Sequence, residues 1–163
     1  MKEGLVPGTT GEAAIMVTQA MLAWFEELGL VHPVYATWAM VRHMELASRK
    51  VILPFLELHE DAVGHSVAVT HFAPTPLGGK VTARATLLRV EGHRIICAVE
   101  AFNEQEKIGA GETVQVVLPR AQLDRRLGSE VPRRPPPAPA QDPPPGRSKP
   151  KRRRSTEGAE PET

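Results

Sequence analysis

The chain has 163 residues, a formal net charge of +1 and one cysteine. That length suits one ordinary domain, and a single Cys97 excludes an internal disulfide framework. No apolar run approaches the ~20 residues of a membrane span, and the N-terminus lacks the basic-then-apolar layout of a signal peptide. A cytoplasmic setting is the expectation.

Composition divides the chain. Ten of the sixteen prolines fall after residue 130, where large apolar side chains are almost absent. Such a stretch cannot bury enough surface to offset its ordering entropy. We therefore expect a folded domain over residues 1–122, its core starting near residue 9. Residues 123–163 form a disordered Pro/Arg-rich tail. The tail carries a net +4 and the first 130 residues a net −3, so the body lacks the basic footprint of a nucleic-acid binder. Lys151-Arg-Arg-Arg154 reads as a solvated basic run.

In chain order, Glu12 to Val17 predicts a first strand. Gln19 to Leu28 reads as a short helix, with Met21, Leu22, Phe25 and Leu28 on one face and Gly29 as C-cap. His32-Pro33 is a turn. A long, mostly buried helix follows from Trp38 to Leu53, with Thr37 placed to cap it and Pro54 to stop it. Met40, Met44, Ala47 and Val51 make its apolar stripe, which Val41, Ile52 and Leu53 widen. Glu45 interrupts the stripe, and a carboxylate on so apolar a helix needs a partner.

Glu57 to Val63 reads as a polar loop. Four strands then follow as a meander: Gly64–Phe72, Lys80–Val90, Arg94–Phe102 and Lys107–Leu118. Gly109 and Gly111 mark a bulge or a close backbone approach in the last strand. The fold class is α+β: one long helix against a curved antiparallel sheet.

Three polar residues stand out as candidate catalysts: Thr37, Glu45 and His71. A histidine near neutral pKa and a carboxylate are what acyl transfer needs, one to activate the nucleophile and one to steady a proton. Free N–H groups at the start of the helix are suited to a developing oxyanion. Eight residues separate Thr37 from Glu45, about 12 Å along a helix. A shared site therefore needs a groove along the helix, completed by a second subunit. His43, His59, His65 and His93 lack metal-ligand spacing, and Cys97 in its apolar strand reads as an inert core thiol.

The segments Tyr35-Ala-Thr37, His43-Met-Glu45-Leu-Ala, Gly64 and Val69-Thr-His71-Phe-Ala-Pro-Thr-Pro resemble, in order and spacing, the hotdog-fold thioesterases of the fluoroacetyl-CoA thioesterase type. The likeness runs from about Gly8 to Leu118. It implies a hotdog fold, in which a five-stranded antiparallel sheet wraps one long helix. It implies a homodimer, in some cases paired into a tetramer, and metal-independent, cofactor-free hydrolysis of a short acyl-CoA at the subunit interface. Carried over residue by residue, Thr37, Glu45 and His71 match the catalytic trio, and Gly64 matches a glycine whose N–H faces the substrate carbonyl. Trp38 and Phe72 are candidate substrate-binding residues beside them. The family pattern has a His-x-Arg pair on the last strand, where this chain has Thr113-Val-Gln115. That departure keeps two alternatives open: a hotdog that binds acyl-CoA without hydrolysing it, and, ranked lower, an enoyl-CoA hydratase.

Overall fold

A computed structural model describes residues 1–128. The expected tail lies, from residue 129 on, outside the described residues. Seven strands and two helices follow in order: β1 (Thr10–Met16), β2 (Leu22–Phe25), β3 (Gly29–Tyr35), α1 (Thr37–Ile52), β4 (Glu60–His71), β5 (Lys80–Glu91), β6 (Arg94–Phe102), β7 (Lys107–Pro119) and α2 (Arg120–Leu127). The five-stranded antiparallel sheet has the order β1-β5-β6-β7-β4, and β2 and β3 form a separate hairpin.

Alternation builds the sheet. On β5, Val81, Ala83, Ala85 and Leu87 are buried while their neighbours are not. On β6, Ile95, Ile96, Cys97, Val99 and Ala101 are buried. Small residues at 83, 85 and 101 let the sheet curl close around α1, which buries Ala39, Met40, Met44, Ala47, Val51 and Ile52 against it. Each large side chain so buried contributes roughly 1.5–3 kcal/mol. Cys97 lies in this core, and burial pushes its thiol up to about 11, as an inert thiol requires.

Five expectations are corrected. Gln19–Leu28 is not a helix: Gln19–Met21 is a single 3-10 turn, and Leu22 onward enters the β2–β3 hairpin. The hairpin's turn uses Gly29 at φ +69°, so the glycine ends a strand connection rather than a helix. The polar segment before Val63 is not all loop, because β4 begins at Glu60, where pairing with Pro119 of β7 recruits it. Only β5, β6 and β7 form a meander; β4 crosses the sheet to become an edge strand beside β7. Finally, Thr37 is the first residue of α1, not its cap. Ala36 holds the cap position, with no side-chain hydrogen bond. Leu53, past the helix end, is half exposed rather than part of the stripe.

The close approach expected at Gly109 and Gly111 is present. A Cβ on Gly111 would stand 2.0 Å from the Ala68 carbonyl oxygen, and one on Gly109 would stand 2.5 Å from the Met40 sulfur. The backbones of β4 and β7 therefore run together only because these positions lack side chains.

Candidate active site

The expected trio and Gly64 fall into two pairs, one at each end of the stretch where α1 and β4 run together. At the first end, Thr37 opens α1 and His71 closes β4. Thr37 Oγ1 and His71 Nδ1 lie 3.1 Å apart. The Tyr35 ring meets the imidazole edge-on at 6.3 Å between centroids. Burial pulls the His71 pKa below its ordinary value, and the Ala73 backbone opposes that shift. The ring is thus neutral near pH 7. Its Nε2 is shut off from solvent, and among the described residues no partner meets it in hydrogen-bond geometry.

This end opens into a cleft of about 320 Å³ lined by Ala23, His32, Val34, Ala36, Phe72 and Pro74 together with Thr37 and His71. Phe72, a candidate substrate-binding residue, is one of these lining residues. Trp38, the other candidate, is half exposed at the start of α1 and is not among the residues lining this cleft. Trp24 and Phe25 are also half exposed, on the hairpin beside the cleft.

At the second end, Glu45 projects from the middle of α1 over Gly64 of β4. A Cβ on Gly64 would fall 2.5 Å from Glu45 Oε1, so the carboxylate rests on bare backbone. The partner expected for Glu45 is not a cation. Among the described residues no ion pair includes it, and Arg49 instead bonds Asp61 Oδ1 at 2.6 Å and the Ala62 carbonyl. Glu45 is half buried rather than enclosed, which removes the need for a countercharge.

Thr113 and Gln115 of β7, the two positions that depart from the family pattern, face α1 from below. Thr113 Oγ1 and Ser48 Oγ are 2.6 Å apart, and Ser48 also donates to the Met44 carbonyl. Gln115 Nε2 donates to the Glu45 main-chain carbonyl at 3.3 Å. Gln115 is also the register partner of Gly64.

Residue reading missed a second buried pair. The Tyr35 hydroxyl and His43 Nδ1 are 2.6 Å apart. Burial, then Arg42, lower the His43 pKa, with the Ala39 backbone opposing. Burial raises that of Tyr35. Tyr35 thereby becomes a rigid wall for His71. Their spacing of eight residues carries no recognisable signal, because β3 and α1 turn back on one another between them. His32, read as part of a turn, lines the cleft.

No helix among the described residues is long and apolar enough to cross a membrane, and none of their His, Cys, Asp and Glu side chains gather in threes to hold a metal ion.

The chain is similar to proteins of one kind. The family model described as fluoroacetyl-CoA-specific thioesterase matches residues 17–121. A fluoroacetyl-CoA thioesterase of Streptantibioticus cattleyicolor is 35% identical over 99 residues, covering 61% of this chain and 71% of that protein. A solved Thermus thermophilus protein described as a thioesterase superfamily member is 46% identical. It matches with a TM-score of 0.74 over 77% of this chain and 94% of its own. The solved structure of a fluoroacetyl-CoA thioesterase matches at 29% identity and a TM-score of 0.73, over 80% of this chain and all of its own. A hot-dog-like protein from Thermanaerovibrio acidaminovorans, 23% identical with a TM-score of 0.68, shares the fold. The chain therefore belongs to the fluoroacetyl-CoA-specific thioesterase family, and with it to the hotdog-fold thioester hydrolases.

Proposed function

We propose that the protein hydrolyses the thioester of a small, neutral acyl-CoA at sites shared between two copies of the chain. The observation that carries this reading is the separation of the two polar pairs along an uncovered edge. Thr37 and Glu45 are about 12 Å apart along α1, too far to act on one carbonyl. Yet β4 is an edge strand, and five consecutive residues, Gly64 to Ala68, are exposed on it. An edge strand bare on both faces is a template for pairing. Antiparallel pairing of β4 with a second β4, centred between Val67 and Ala68, sets Gly64 of one copy opposite His71 of the other. Glu45 and Gly64 of one protomer then complete the site of Thr37 and His71 of its partner.

The chemistry follows from these groups. Glu45 takes a proton from water as the water oxygen attacks the thioester carbonyl carbon. The Gly64 backbone faces that carbonyl, where the absent side chain leaves room, and its N–H steadies the oxyanion. The C–S bond then breaks, and the CoA thiolate leaves and takes up a proton. With the Thr37 hydroxyl donating to Nδ1, neutral His71 fixes the hydroxyl's lone pairs toward the reacting groups. The cleft beside this pair has no acidic or basic lining residue other than its two histidines and Tyr35, which favours uncharged acyl groups.

Thiol release from a panel of acetyl-, fluoroacetyl-, phenylacetyl- and succinyl-CoA tests the reading. Glu45→Gln and His71→Ala should each lose at least ~10²-fold in kcat, and succinyl-CoA should be the poorest substrate. Mixing the two inactive variants and letting subunits exchange should restore about a quarter of the wild-type rate, because half the dimers then hold one intact shared site. Full activity in either variant refutes the chemistry. No recovery on mixing refutes the sharing.

A further inference from the structure

We propose that Gln115 is a positioning residue for Glu45, retained for catalysis at the expense of stability. The inference rests on the reading of Glu45 as the base. Three observations converge on it. Gln115 is 1% exposed, on the inner face of the sheet. Its Nε2 donates to the Glu45 main-chain carbonyl across the α1–β7 contact. Its register partner on β4 is Gly64, the residue on which the Glu45 carboxylate rests. Cross-strand partners project to the same face, so Gln115 and Gly64 together form the seat under one side chain. Gln115 grips the helix backbone and Gly64 sets the height of the carboxylate.

The other half of the amide is what makes this more than packing. Gln115 Oε1 is buried, and among the described residues no donor reaches it. A buried acceptor without a partner destabilises the fold. Methionine, with nearly the same length and no polar atoms, would fill the position without that cost. Apart from Thr113, which Ser48 satisfies, the buried residues of β6 that share this face with Gln115 are apolar: Ile95, Cys97 and Val99. A residue serving only the core would be apolar here as well. An amide that bonds the backbone of Glu45 and leaves its own oxygen unmatched is explained by what Glu45 does. Such local conflict with folding is expected where function demands a fixed geometry.

The test is Gln115→Met, read by thermal melting and by steady-state kinetics on the best acyl-CoA of the panel. Removing the unmatched oxygen should leave Tm unchanged or higher. Loosening the turn that carries Glu45 should lower kcat by ~10-fold or more, with KM within about threefold. Gln115→Asn, too short to reach the carbonyl, should show the same split in kcat against KM. A Gln115→Met protein with wild-type kcat overturns the proposal. One that fails to fold, or that melts lower and loses rate with KM rising alongside, makes Gln115 structural and overturns it equally. The wild-type and Glu45→Gln rates are measured in parallel. Undiminished Glu45→Gln activity would strike the role of Glu45 itself, and is distinguishable from a failure confined to Gln115.

Discussion

The two ends of the α1–β4 contact are built in opposite ways. At the Thr37 end, the candidate groups hold each other: hydroxyl to imidazole at 3.1 Å, with Tyr35 as a wall and a cleft in front. At the Glu45 end, the proposed base is held only by the frame. No side chain bonds the carboxylate among the described residues; a glycine lies under it and an amide fixes the helix turn behind it. The first end should therefore tolerate backbone adjustment and depend on its polar atoms. The second should tolerate little change in the frame. The difference shows where a hotdog chain places precision: in paired side chains where a strand ends, and in the absence of a side chain where a strand passes beneath a helix.

The sharpest way to break that contrast is Gly64→Ala. A methyl group placed 2.5 Å from Glu45 Oε1 must displace the carboxylate. Because the flexible end of a glutamate yields more readily than backbone, the fold should survive. Turnover should fall by ~10²-fold, the scale of losing a positioned base, with a melting temperature close to wild type. Normal turnover would mean that the carboxylate has slack, and that the Glu45 end is not set by its frame. Thr37→Val is the matching test at the other end. It keeps the shape and removes the hydroxyl from His71 Nδ1, and should cost about 10-fold in kcat, less than the ~10²-fold of a group that itself transfers the proton.

The sequence revealed these two ends unequally. The helix was legible because Met40, Met44, Ala47 and Val51 repeat at its period, and the β5–β6–β7 meander because alternation and turn residues agree. The residues of both pairs were legible through spacing shared with a family. The separation of Thr37 from Glu45 was legible from helical rise. That His71 meets Thr37 while Gly64 lies under Glu45 was not, because it depends on β4 crossing the sheet to pair with β7. That crossover follows from the bare backbones at Gly109 and Gly111 meeting β4, a tertiary event that local pattern does not encode. The β2–β3 hairpin was hidden for a related reason. Met21, Leu22, Phe25 and Leu28 satisfy a helical period, yet Gly29 in its left-handed turn and the β-branched Val31 and Val34 decide for strands. The polar residues of β7 gave no local signal at all. Thr113 and Gln115 look like surface positions until α1 is laid across them.

Acidity separates the ends next. Burial depresses His71, and a depressed histidine stays neutral below its ordinary value of about 6.5. Its ring proton resonances should titrate with a midpoint below that value, and activity should hold through pH 6.5 on the way down. His43 is depressed from the same cause, so both rings resist protonation in the fold while the unfolded chain accepts protons freely. The unfolded state then binds more protons, and stability falls as pH drops below about 6.5. No loss from these groups is expected on the alkaline side. Urea melts at pH 7.5 and 5.5 should show the lower stability at 5.5. Equal stability at both would place the two rings in a more hydrated setting than Tyr35 and α1 provide.

The smallest effect tests whether the two polar contacts under α1 differ in kind. Thr113 and Ser48 satisfy one another at 2.6 Å, and Ser48 also returns a bond to Met44. Nothing at this contact is left unmatched, and neither residue touches the carboxylate of Glu45. Ser48→Ala alone strands the Thr113 hydroxyl in the core and should cost about 1–3 kcal/mol, whereas Ser48→Ala with Thr113→Val removes both partners and should cost less than the single change. Neither variant should alter kcat by more than about twofold, since what is lost is docking energy and not the seat of Glu45. Gln115→Met is expected to do the reverse, sparing stability and losing rate. If the double variant also lost turnover, the whole α1–β7 contact would act as one unit. The precision at Glu45 would then belong to the helix as a rigid body rather than to the single amide beneath it.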